Sequence, residues 1–289
     1  MTETSHEAPR KSAAATVASE DPGALPFVAP CRTLGTWEPI GWLGHAWADF
    51  KAAPRQSLTY GAIVVLLSWA LAFIAIRFGG YFELLALVSG FILVAPLLAV
   101  GTYSISEQIE RGLEPSLRRC FIEERRVFGN LMVFALMLMI VFLVWWRAAS
   151  AVHIFFPVDM TTPDWTDYVQ FLGIGSAIGS IFAVIVFSAA AFSLPMLMDR
   201  EADSITAVVT SINAVLRNKP AMAVWAALIV LAVAPGFAML LIGREKGAGF
   251  ALVMALLGIT LPLIGHATWH AYRATIDASG WPRNEHLEG

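Results

Sequence analysis

Apolar residues gather along the chain into six long blocks separated by short polar stretches. The blocks run from about Leu58 to Ile76, Leu84 to Ile105, Leu131 to Phe156, Val169 to Met198, Ala221 to Ile242 and Phe250 to Trp269. A helix needs roughly 20 apolar residues to cross a hydrocarbon core about 30 Å thick, so the pattern predicts six transmembrane helices. Ahead of the first, third and fifth blocks the pattern becomes amphipathic at the 3.6-residue period. Trp42, Leu43, Ala46, Trp47 and Phe50 share one helical face. Leu113, Leu117, Cys120, Phe121, Val127 and Phe128 share another, and Ile205, Val208, Val209, Ile212, Val215 and Leu216 a third. Breaks follow at Pro54, Gly129 and Pro220. These three stretches are expected to lie in the headgroup plane. The even-numbered blocks carry Pro96, Pro195 and Pro262, each expected to kink its helix by removing a backbone hydrogen bond. The expected fold is therefore all-α: a six-helix transmembrane bundle with amphipathic in-plane cytoplasmic helices, built as three quasi-repeated hairpin units.

Composition agrees with a lipid-embedded chain, with 57% hydrophobic and only 14% charged residues in 289, against about 25% charged in a soluble domain. Orientation follows from the basic residues. With the N-terminus in the cytoplasm, only Arg77, Arg147, Arg244 and Lys246 of the 19 Lys and Arg fall outside, as the positive-inside rule requires. Trp145, Trp146, Trp165 and Trp269 stand near block ends, where interfacial aromatics are expected. Residues 1–36 have no apolar core of the signal-peptide kind and read as a disordered cytoplasmic tail. Residues 37–273 form the membrane domain and 274–289 a short cytoplasmic tail. A net charge of -3 and the lack of a basic arm give no reason to expect nucleic acid. Cys31 and Cys120 fall on the cytoplasmic side, where thiols stay reduced.

Candidate chemistry is sparse. His266 and His270 stand four apart in the sixth block, which puts their side chains on one helical face and within reach of one metal ion. Asp199 and Asp203 lie on the same predicted side and are the candidate third ligands. The competing readings make the histidines ordinary inner-rim residues and leave the carboxylates solvated, as His45 is expected to be. Gly175 and Gly179 form a Gly-xxx-Gly step suited to close helix packing, within the bundle or between two copies. No phosphate-binding Gly-rich loop, Gly-x-Ser-x-Gly elbow or His-Glu-x-x-His occurs.

The run from Pro262 through Gly265, His266, Thr268, Trp269, His270 and Tyr272 to Arg273 resembles a family of predicted bacterial integral membrane proteins with a domain of unknown function. Asp49, Phe50, Pro54, Ser57 and Tyr60 fit it, as do Pro195, Asp199, Arg200, Asp203 and Asn218. Some members carry a cytochrome c oxidase subunit label, which implies an accessory or assembly role beside a respiratory complex. The family's activity is not established, so the resemblance leaves the cofactor open. The expectation is a non-enzymatic protein of the bacterial cytoplasmic membrane. Its partners would be the bilayer and a membrane protein or further copies of the chain. A small transporter or channel, or a metal- or haem-binding protein, are the alternatives.

Overall fold

The computed structural model describes residues 26–78, 97–155, 165–242 and 247–284. These residues form ten α-helices: α1 (Glu38–Ala52), α2 (Pro54–Phe78), α3 (Val100–Glu110), α4 (Leu117–Arg126), α5 (Phe128–Phe155), α6 (Trp165–Ala190), α7 (Ser193–Asp199), α8 (Ser204–Arg217), α9 (Lys219–Ile242) and α10 (Gly247–Thr275), with a single 3-10 turn at Leu97–Ala99. Two isolated bridges, Cys31 with Ile276 and Arg200 with Arg283, are the only extended pairings among the described residues.

Polarity is distributed inside out. Ser57, Ser104, Gln108, Thr210, Ser211 and His266 are fully buried, while Val184, Val230 and Leu231 are more than 60% exposed. Water would reverse that arrangement, and hydrocarbon favours it: apolar groups face lipid and polar groups find partners inside. Among the described residues two helical stretches, Phe128–Ala151 and Gly173–Asp199, are long and apolar enough to cross a membrane. A third qualifies if α8 and α9, which meet at a 103° bend, are counted as one.

The helices come closest where glycine removes a side chain. A Cβ on Gly61 of α2 would lie 2.0 Å from the Gly258 carbonyl oxygen of α10. Gly258 is four residues before Pro262, so this is the carbonyl that the proline leaves without its helical donor. A Cβ on Gly265 would lie 1.8 Å from Thr102 Oγ1, and one on Gly101 would strike the Tyr60 ring. Gly175 and Gly179 differ: nothing stands within 4 Å of either position among the described residues.

The prolines are unlike one another. Pro96 lies outside the described residues. Pro262 sits inside the continuous α10, as Pro235 does inside α9. Pro195 follows a true break, since α6 stops at Ala190 and α7 starts at Ser193. The Phe192 N–H freed there donates to Ser211 Oγ of α8 at 3.0 Å, and the Ser211 hydroxyl donates to the Ser188 carbonyl at 2.7 Å. One serine thus repairs both sides of the break.

The amphipathic faces are shared with the protein interior. On α1, Trp42, Ala46, Asp49 and Phe50 are buried, chiefly against α10 and α9, and Trp42 meets Trp225 edge-on at 5.6 Å. Trp47 stays exposed. α8 buries Thr206, Ala207, Thr210, Ser211 and Ala214 and leaves Ile205 and Leu216 exposed. Its small polar face meets the protein and its apolar edge faces outward.

Both ends of the described chain are tied to this framework. The Ala29 N–H donates to Thr210 Oγ1 at 3.1 Å, and the Leu34 N–H donates to Asn218 Oδ1 at 2.8 Å. The Arg32 N–H donates to the Thr275 carbonyl, and the Asp277 N–H to that of Pro30. Asn284 Nδ2 reaches the carbonyls of Leu197, Met198 and Arg200, closing the end of α7.

Candidate functional site

The sixth block places His266 and His270 on one side of α10, and α1, α2 and α3 bring the groups that meet them. His266 is fully buried. Its Nδ1 stands 2.7 Å from Ser106 Oγ and its Nε2 2.9 Å from Ser57 Oγ. The Ser106 hydroxyl donates to Asp49 Oδ2 at 2.7 Å. That spends the only proton of Ser106, so its oxygen accepts from His266 and Nδ1 carries the ring proton. In the neutral ring Nε2 then accepts from the Ser57 hydroxyl. His270 Nε2 lies 2.8 Å from the same Asp49 Oδ2, and the His270 ring is 5.1 Å from that of His45. A continuous chain of polar groups therefore runs from the partly exposed His270, through Asp49, Ser106 and His266, to the buried Ser57.

A second cluster closes the same end of the bundle. Asp199 Oδ2 accepts from Arg200 Nε at 2.8 Å, from the Tyr272 hydroxyl at 2.7 Å and from Arg273 Nη1 at 3.4 Å. Glu110 of α3 accepts from Trp269 Nε1 at 2.9 Å and from Arg273 Nη2 at 2.7 Å. Trp269 is thereby buried within the protein, and Asp199, at 2% exposed, is enclosed rather than solvated.

The sequence candidates thus separate into three places. His266 and His270 do share one site, but it is completed by Asp49, Ser57 and Ser106. Asp199 belongs to the arginine cluster. Asp203 is the N-cap of α8, accepting from the Ile205 and Thr206 N–H groups at 2.9 Å and from the Thr206 hydroxyl at 2.6 Å. Partial burial opposes ionisation of Asp203, yet these bonds outweigh it and hold its carboxyl below the usual carboxylate range. Among the described residues no group of three or more His, Cys, Asp or Glu is placed to hold a metal ion. A signal for Asp49 does stand in the sequence: it occupies the helical stripe of Trp42, Ala46 and Ala53, where an apolar residue is expected.

One helical turn from the network lies a cavity of about 580 Å³. Tyr60 and Gly61 on its wall follow Ser57 by three and four residues. Thr102 precedes Ser106 by four, and Pro262 precedes His266 by four. α6 and α9 complete the wall with Val184, Phe187, Trp225 and Val230, and no charged side chain lines it among the described residues. The polar network and the apolar cavity are consecutive layers of the same three helices.

Residues 84–199 match a family described as predicted integral membrane protein (DUF2189). This agrees with the resemblance seen in the sequence, and the matched stretch includes α3, with Ser106 and Glu110, and ends at Asp199. No curated protein and no solved structure matches the chain.

Proposed function

We propose that this is a six-span, non-catalytic protein of a bacterial cytoplasmic membrane, with both termini in the cytoplasm, whose work is to bind a lipid-soluble ligand within the bilayer. The observation that carries the reading is the apolar cavity of about 580 Å³. Its size falls within the range of small-molecule sites, roughly 300–1,000 Å³, and the network beside it fixes the helices that frame it. A fully bonded network favours a structural lock over a nucleophile or a metal ligand.

Contacts at one end of the bundle support the six spans. Asn130, at the start of α5, donates to the Ala202 carbonyl beyond α7. Glu110, after the second block, meets Arg273 after the sixth. Asn218, before the fifth block, holds Arg32 and Leu34, which precede the first. Each pair of blocks therefore begins and ends on one side, as three hairpins would. The accessory role beside a respiratory oxidase follows from the family label alone. The test is to extract the protein from native membranes in polymer-bounded discs and identify every retained lipid and protein. A disc holding only bulk lipid, in bulk proportion, would overturn the reading.

The unbroken chain from His270 to Ser57 favours a second reading, a path for protons, because ionisable groups inside a membrane commonly mark such paths. Proteoliposomes with a trapped pH dye test it. A wild-type flux no faster than that of His266→Ala vesicles would sink it.

A further inference from the structure

Resting on the binding reading above, we propose that the cavity takes a neutral molecule with an apolar body and an oxygen acceptor, a carbonyl or hydroxyl, that receives the hydroxyl proton of Tyr103. Charge comes first. A charged headgroup brought inside would need a countercharge, and among the described residues the wall offers none. Three of its four hydroxyls already have partners, that of Tyr60 accepting from the Gly101 N–H at 3.1 Å. The Thr102 hydroxyl donates to the Ala99 carbonyl at 2.5 Å, and that of Thr268 to the Ile264 carbonyl at 2.8 Å. Both protons are spent on their own chain. Tyr103 also lines the wall and is only 3% exposed, yet no hydrogen bond of its hydroxyl is found among the described residues. A buried tyrosine hydroxyl normally has a partner. One left over on an apolar cavity is a donor waiting for a ligand's oxygen.

Shape sets the rest of the ligand. The wall on α9 runs from Trp225 to Ala234, about 13 Å at 1.5 Å per residue, which suits an extended apolar body. Val184 of α6 and Val230 of α9 line the cavity and are each more than 60% exposed, so its mouth, among the described residues, lies between these two helices. A lipid-soluble molecule would enter sideways, without crossing the polar network.

Trp225, on the wall, is the built-in reporter. The purified full chain in nanodiscs is titrated with a brominated long-chain alcohol and, separately, with brominated phosphatidylglycerol. The Trp225 signal is taken as the difference from Trp225→Phe. We expect saturable quenching by the alcohol alone. Tyr103→Phe should weaken it about fivefold, as for one hydrogen bond, and Ala226→Phe, which fills the cavity, should abolish it. Quenching that rises linearly with probe, or is unchanged in Tyr103→Phe, or is equally strong with the anionic lipid, overturns the proposal. If the alcohol fails but solvent extraction of the protein yields another enriched lipid, the ligand class is wrong and the binding reading stands. If extraction yields none, both fall.

Discussion

His266 shows what a single residue costs and gives inside this molecule. An imidazole enclosed by apolar helices persists because both ring nitrogens have hydroxyl partners. Truncation to Ala removes two hydrogen bonds, leaves the buried Ser57 hydroxyl without its His266 acceptor and opens a void. We expect His266→Ala to cost about 2–4 kcal/mol, read as a lower thermal midpoint in detergent, and Ser57→Ala to cost about 1 kcal/mol. Equal, small effects would show that the network does not hold the helices together. A second outcome belongs to the same residue: metal analysis should find no stoichiometric ion. An ion lost on replacing His266 and His270 together would return these side chains to ligand duty. Half of this site was legible in the sequence. The four-residue spacing of the histidines is local and survives any tertiary arrangement. The partners of His266 are 209 and 160 positions away and that of His270 is 221 away, and no periodicity reports a contact of that range.

Helices carry the next set of consequences. The apolar blocks could be read because bilayer thickness fixes their length, whereas the points where helices touch could not, because they depend on how two helices cross. Gly175 and Gly179 have the spacing of a packing motif yet meet nothing within 4 Å among the described residues, while Gly61, Gly101 and Gly265, with no such spacing, form the close approaches. Gly61→Ala should therefore cost about 1–3 kcal/mol, since the new methyl meets a backbone oxygen that cannot swing away. Gly179→Ala should be neutral or slightly stabilising, because alanine is the better helix former. Unfolding midpoints of the two variants side by side decide it, and a larger loss at Gly179 would reveal a contact made by another copy or another chain. Capping supplies a separate test. Asp203→Ala removes three bonds at the start of α8 and should cost about 1 kcal/mol. Because the folded carboxyl titrates below its unfolded value, this contribution is complete above the unfolded pKa and fades as pH falls through the folded one. The gap between wild type and variant should accordingly close in acid, and a gap that widened there would contradict the cap.

For the whole molecule the question is which parts share a side of the membrane, and here backbone geometry adds to the charge rule. Arg32 and Pro30 exchange backbone hydrogen bonds with Thr275 and Asp277, so the segments before the first block and after the sixth meet directly. Two segments that touch must lie on the same face, and the number of crossings between them must be even. Arg200, Arg273 and the start of α8 gather at that end as well, as the proposed three returning pairs require. In the proposed orientation that face is the cytoplasmic one, since lysines and arginines concentrate where the ends meet. Intact cells treated with a membrane-impermeant maleimide should label Thr162→Cys, and should label Ser12→Cys only after lysis, each in a background lacking Cys31 and Cys120. Label on Ser12→Cys alone before lysis would invert the orientation while keeping the even count. Label on both before lysis would demand an even number of crossings between them, where the proposed arrangement has three, and the three hairpins would have to be abandoned.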